Sequence, residues 1–162
     1  MPNESTRLQT TQWLLERQIA WIAAADAKVA VVMALDAAIF AALATAFAAA
    51  KCPGAWAVAL SLTATVLMIV AMGCAAACLM PRTKGPETSL LFFERVACIK
   101  AQDYVAALKR ATNDKLQSDW AAQVHENAKI AAQKHLWVKR SVAWSFLAAL
   151  LWSVAIALLV KP

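Results

Sequence analysis

The sequence predicts an all-α membrane protein: three transmembrane helices, a cytosolic helical hairpin between the second and third, and an amphipathic N-terminal helix. Three observations carry that reading. Hydrophobic residues fill 62% of the 162 positions and the mean hydropathy is +0.56, more than a soluble core of this size requires. Glycine and proline are sparse: none stands between Pro2 and Pro53, between Gly54 and Gly73, or between Pro86 and Pro162. The stretches between these breaks are rich in Ala, Leu, Gln, Lys and Glu, all strong helix formers. Third, an alanine-rich apolar run from Val29 to Ala50 lies between Lys28 and Lys51 and holds one carboxylate, Asp36. At helical rise those lysines are roughly 34 Å apart, slightly more than the ~30 Å hydrocarbon core of a bilayer.

Residues 1–28 form the N-terminal cytosolic helix, with Asn3 or Ser5 as its cap and an apolar stripe of Leu8, Leu15, Ile19 and Ile22. No breaker separates it from the first span, residues 29–50. The segment before Val29 is too long and amphipathic for a cleaved signal peptide, and the apolar run exceeds a typical h-region. Lys51-Cys52-Pro53-Gly54 is a turn that returns the chain into a second span, residues 55–80, where Gly73 and Ala77 make a small-xxx-small pair. Pro81, Gly85 and Pro86 end that span, with Arg82 and Lys84 as basic flanks.

The cytosolic helical region covers residues 81–140. Its first part, Glu87 to Arg110, reads as one amphipathic helix or two with a kink near Asp103, with a stripe of Leu90, Phe93, Ala97, Ala101, Tyr104 and Leu108. Thr112-Asn113-Asp114 is a turn and cap. A further helix carries Leu116, Trp120, Val124, Ala128 and Ala131 on one face and runs into a third span, residues 141–160. The region 81–140 holds eleven Lys or Arg, against Lys51 alone in the outer turn. The positive-inside rule therefore places the N-terminus and the long loop in the cytoplasm and the C-terminus outside.

The net charge of +6 belongs to this flanking pattern and does not point to nucleic acid. The four cysteines show no zinc spacing and read as reduced and structural. No catalytic constellation is present: there is no phosphate-cradling loop and no nucleophile elbow, and His125 and His135 are ten residues apart on one helix. The sequence predicts neither an enzyme, nor a metal site, nor a cofactor.

Three groups of polar residues stand out. Asp26 and Lys28 lie at the cytosolic edge of the first span; Lys28 snorkels to the headgroups, and Asp26 either sits in solvent or pairs with a basic residue of the cytosolic helices, coupling soluble part to span. Asp36 is costly near the bilayer centre, by roughly 2.5–3.5 kcal/mol on insertion scales, in a span too poor in Leu and Ile to offset it. It is therefore expected inside a bundle or homo-oligomer, either as interhelical hydrogen-bond glue or lining a water-filled path with Thr45. Arg95, Tyr104, Gln123, Asn127 and Lys134 recur near the apolar faces of the cytosolic helices. A guanidinium for phosphate, amides for base edges and an aromatic ring for stacking would suit an anionic ligand with a planar base; a solvated helix face is the plainer alternative.

Several motifs together resemble the transmembrane effectors of Pycsar anti-phage systems. They are Arg17 with Ala25-Asp26-Ala27-Lys28 before the first span, and Ser89-Leu90-Leu91-Phe92-Phe93-Glu94-Arg95-Val96-Ala97 after the second. Gln123-Val124-His125-Glu126-Asn127-Ala128-Lys129-Ile130-Ala131 with Lys134-His135 precedes the third. The resemblance runs from about Leu8 to Val160. It implies that a partner pyrimidine nucleotide cyclase makes cyclic UMP or cyclic CMP on infection, that the effector responds, and that the inner membrane loses integrity. It also implies that Asp26 and Lys28 belong to a pre-span motif, and Arg95, Gln123, Asn127 and Lys134 to cytosolic ones. With no separable nucleotide-binding domain, sensing falls to the helices. Two other functions fit the residues: a constitutive small ion channel or transporter subunit using Asp36, and a membrane scaffold for a soluble partner.

Overall fold

A computed structural model describes residues 4–81, 85–86 and 88–160. Among the described residues all regular structure is helical: α1 (Glu4–Ala49), α2 (Ala55–Leu79), α3 (Phe93–Cys98), α4 (Ala101–Arg110) and α5 (Asn113–Leu159). Three of these, α1, α2 and α5, are long and apolar enough to cross a membrane. The N-terminal helix and the first span are one uninterrupted helix, as are the last cytosolic helix and the third span, because no glycine or proline intervenes in either. Asn3, Arg82, Lys84 and Glu87, invoked above as a cap, basic flanks and a helix start, lie outside the described residues.

The chain divides into two compact units, Met1–Ala24 with Pro81–Gln133, and Ala25–Met80 with Lys134–Pro162. The second unit packs three helices, α1 and α5 parallel and α2 antiparallel to both. Its buried positions recur every three or four residues. On α2 they are Ala57, Ser61, Ala64, Met68, Ala71, Ala75 and Cys78; on α5, Lys134, Val138, Ser141, Ala148, Ala155 and Leu159; on α1, Ala25, Val29, Asp36 and Leu43. That is the heptad spacing of helices wound on one another. The seams hold mostly small side chains, whereas Leu62, Val66, Ile69, Phe146, Leu150 and Val154 point outward. Small residues inside and large ones outside suit a bundle in lipid, where backbones gain by close approach and bulky groups meet acyl chains at no loss. Two apolar clusters, around Ala25, Val29, Ala75 and Cys78 and around Leu43, Ala57, Ala64 and Ala155, flank a polar middle layer.

The first unit departs from expectation in its short helices. The segment before Phe93 is not helical, because the Ser89 hydroxyl accepts the Leu91 and Phe92 N–H groups and closes a turn there. The break falls at Ile99–Lys100, both with extended backbone, rather than at Asp103. Asp103 instead occupies the first turn of α4, where a carboxylate complements the helix dipole. Thr112 caps α5 as expected, accepting the Lys115 N–H at 3.3 Å. Phe93, placed above on the apolar stripe, is exposed, as are Leu108 and Ile19; Leu90 is buried, but from the turn. In the second unit Gly73 of the small-xxx-small pair is exposed and meets nothing within 4 Å. The heptad places Ala71 and Ala75 in the α2 seam, and Gly73 falls outside it.

Candidate functional site

Two polar constellations emerge, one in each unit. In the second unit, the Lys134 ammonium donates to Asp26 Oδ1, joining α5 to α1 at the start of the span. Lys134 is only 6% exposed, and a buried ammonium is tolerable only when paired. Cys78 Sγ lies 3.5 Å from the Lys134 carbonyl and brings α2 to the same level. Further into the span, Ser145 Oγ approaches Asp36 Oδ2 at 2.8 Å and the Ser141 carbonyl at 3.0 Å. One hydroxyl proton serves one of these acceptors at a time. Ser141 Oγ donates to the Ala71 carbonyl at 3.0 Å, so the middle layer ties all three helices.

A single α1–α5 registration accounts for both acidic residues: the partners are 108 residues apart in the first pair and 109 in the second. Asp36 is 2% exposed. Its carboxyl meets a hydroxyl of its own chain, and with Ser145 it also lines a cleft between α1 and α5. Lys28 is exposed at the edge of the span, where a lysine reaches the headgroups. Near that edge the Arg140 guanidinium lies 4.9 Å from the centre of the Trp137 ring.

In the first unit the Ser89–Phe92 turn is the hub. Gln123 Nε2 donates to Ser89 Oγ at 3.2 Å, Tyr104 Oη donates to the Leu90 carbonyl at 3.1 Å, and Asp119 Oδ2 accepts the Leu90 N–H at 2.7 Å. Gln123 and Ser89 are buried. Two of the residues read as ligand-binding, Tyr104 and Gln123, are thereby joined through this turn. Asn127 is half-buried and Arg95 exposed; among the described residues neither has a hydrogen-bond or ion-pair partner. Lys134, the fifth, belongs to the second unit and is engaged by Asp26. Nearby on α5, Lys129 donates to Glu126 at 2.7 Å; that hydrogen bond holds the Glu126 carboxyl below its usual range.

Sequence reasoning missed Ser145, Asp119 and the role of Ser89. Ser141 and Ser145 did carry a signal: two hydroxyls one turn apart in a span whose one other hydroxyl is Ser153. Asp119 carried none, being one acidic residue on a polar helix.

Comparison with known proteins adds three findings. The family model described as the Pycsar effector protein domain matches residues 10–161. The curated "Pycsar effector protein PtPycTM" of Propioniciclava tarda is 34% identical over 131 residues, which is 75% of this chain and 65% of that protein's length. No solved structure matches.

Proposed function

The chain belongs to the Pycsar effector family, and from that premise we propose that it is the membrane effector of an anti-phage defence system. In this reading a cyclic pyrimidine mononucleotide, cyclic UMP or cyclic CMP, made by a pyrimidine nucleotide cyclase on infection, engages the first unit. The effector, a homo-oligomer in the inner membrane with its N-terminus cytoplasmic and C-terminus periplasmic, then impairs membrane integrity. It works without catalysis and without a cofactor. The observation that carries the proposal is the reach of the family match, which includes all three apolar helices and the Ser89 hub alike.

In this reading the candidate ligand residues play different parts. Arg95 and Asn127 offer a guanidinium and an amide with no intramolecular partner among the described residues, suited to a phosphate and a base edge. Tyr104 and Gln123 hold the Ser89–Phe92 turn, so a ligand that draws on either must remake that turn. A ligand shifts an equilibrium only through its different affinity for the two states, and a turn held by three side chains is a place where two states can differ. Asp36, satisfied inside one chain, contributes to the packing that the effector must loosen.

The test is propidium uptake in cells carrying this protein with an inducible cytidylate or uridylate cyclase. Uptake is expected only when the cyclase is active, with Arg95→Ala and Asn127→Ala reducing it. Uptake independent of the cyclase would favour a constitutive channel, and none under any condition would favour a scaffold.

A further inference from the structure

Helix α2 buries a heptad-spaced line of mostly small side chains, and α1 carries a line of small side chains that covers nothing. Ala27, Ala34, Ala41 and Ala48, with alanine also at 30, 37 and 44, recur at intervals of three and four residues, and all stand exposed in the single chain. They extend about 32 Å along the helix, the depth of the hydrocarbon core. The outward faces of α2 and α5 carry large residues instead, such as Val66 and Phe146. An alanine line offers acyl chains little contact but lets another helix backbone approach closely.

The second observation lies beside this line. A cleft of about 320 Å³ is lined by residues of α1 and α2, among them Leu43, Ala44, Ala48, Ser61 and Leu62. Ser61 is 5% exposed, and its hydroxyl has no hydrogen-bond partner among the described residues. An acyl chain in the cleft would leave that hydroxyl unsatisfied in a medium without water.

We infer that a second copy of this chain docks in the cleft through its own α1, parallel to the first, and that its Thr45 receives the Ser61 hydroxyl once the covered Ser61 side chain turns into the cleft. Copies inserted by the same charge rule share one orientation, so like residues lie at like depth. Leu43 and Ser61 line one cleft, and Thr45 of the second copy is two residues, about 3 Å, from the depth of Leu43. The Thr45 hydroxyl already donates to the Ala41 carbonyl at 2.8 Å, which leaves its lone pairs free to accept. Thr45 is about 100° round the helix from Ala44. A copy seated with its Ala44 edge against its twin therefore turns its Thr45 edge towards α2 and Ser61. The inference rests on the proposal that the effector is oligomeric, and gives that oligomer its surface.

Single cysteines at Ala34→Cys, Ala41→Cys and Ala48→Cys test it, each in a chain whose native cysteines are alanine, with Val66→Cys and Phe146→Cys as outward-facing controls. After oxidation in bacterial membranes with a membrane-permeant copper catalyst, the stripe variants are expected to run largely as covalent dimers and the controls as monomers. Ser61→Ala and Thr45→Val are each expected to weaken association in liposomes about threefold, the size of an average interhelical hydrogen bond in a bilayer, and to weaken it no further when combined. Equal cross-linking at stripe and control positions, or fully additive losses, would overturn the interface. Subunit mass in the bilayer separates the two failures. A lone subunit removes oligomer and interface together, whereas an oligomer linked through the control positions removes the interface alone.

Discussion

Removing the Asp26 carboxylate should unsettle the second unit more than any other single polar change. Asp26→Ala leaves the Lys134 ammonium, whose side chain is 8% exposed, without its partner. Breaking a buried pair from one side costs about 3–5 kcal/mol, since the remaining charge is stranded. The Asp26 side chain is 38% exposed, so water can enter where the carboxylate stood, and the low end, about 3 kcal/mol, is expected. Lys134→Met reverses the asymmetry: it removes the costly charge, leaves Asp26 with a wet face, and should cost less than about 1 kcal/mol. The double variant should resemble Lys134→Met alone, giving a coupling energy of about 3 kcal/mol. The assay is SDS-driven unfolding in mixed micelles, followed by far-UV circular dichroism. The reasoning fails if Asp26→Ala lies within about 0.5 kcal/mol of wild type, or if the double variant sums the two losses.

Other perturbations probe the remaining contacts. Ser89→Ala removes the acceptor for Leu91, Phe92 and Gln123 and should cost about 1–3 kcal/mol, read as faster amide exchange at residues 90–92 with the span helices unaffected. Asp36→Ala should cost only about 0.6–1.7 kcal/mol, the range for interhelical hydrogen bonds in bilayers, because Ser145 keeps the Ser141 carbonyl as an acceptor; a larger loss in SDS unfolding would give Asp36 a further role. A Cβ at Gly85 would lie 2.6 Å from the Phe92 ring, so Gly85→Ala should cost about 1–3 kcal/mol through displacement of that ring, seen as a shifted Phe92 resonance. Glu126, held below its usual range chiefly by the hydrogen bond from Lys129, contributes only above its unfolded value and loses that contribution as pH falls through its folded one. The pair is on the surface, so Glu126→Gln should leave the unfolding midpoint unchanged at neutral pH.

The fold class was legible in the sequence because breakers are so few. Two uninterrupted helices, α1 and α5, follow from the missing glycines and prolines, and the Lys51–Gly54 turn from the adjacent Pro53 and Gly54. The inward faces of the spans were not legible. When nearly every position is Ala, Val or Leu, hydrophobic periodicity has no contrast, and only the polar residues mark the seam. Asp36 did so correctly, while Gly73 misled, because a small residue fits a seam and a lipid face equally well. In the first unit, Ser89 ended one helix before it began by supplying hydrogen bonds that a helix would otherwise have made. Sequence periodicity cannot register that competition. The candidate site was legible in residue type but not in partnership: Lys134 reads as an available cation until Asp26, a hundred residues earlier, is folded against it.

The most direct test of the account uses the purified chain in dye-filled liposomes, with cyclic UMP or cyclic CMP supplied on both sides of the bilayer. The account predicts saturable dye release with at least one of these nucleotides, none with their linear monophosphates, and a weaker response from Arg95→Ala. Release without nucleotide, or intact vesicles at concentrations where calorimetry shows the nucleotide bound, would contradict it.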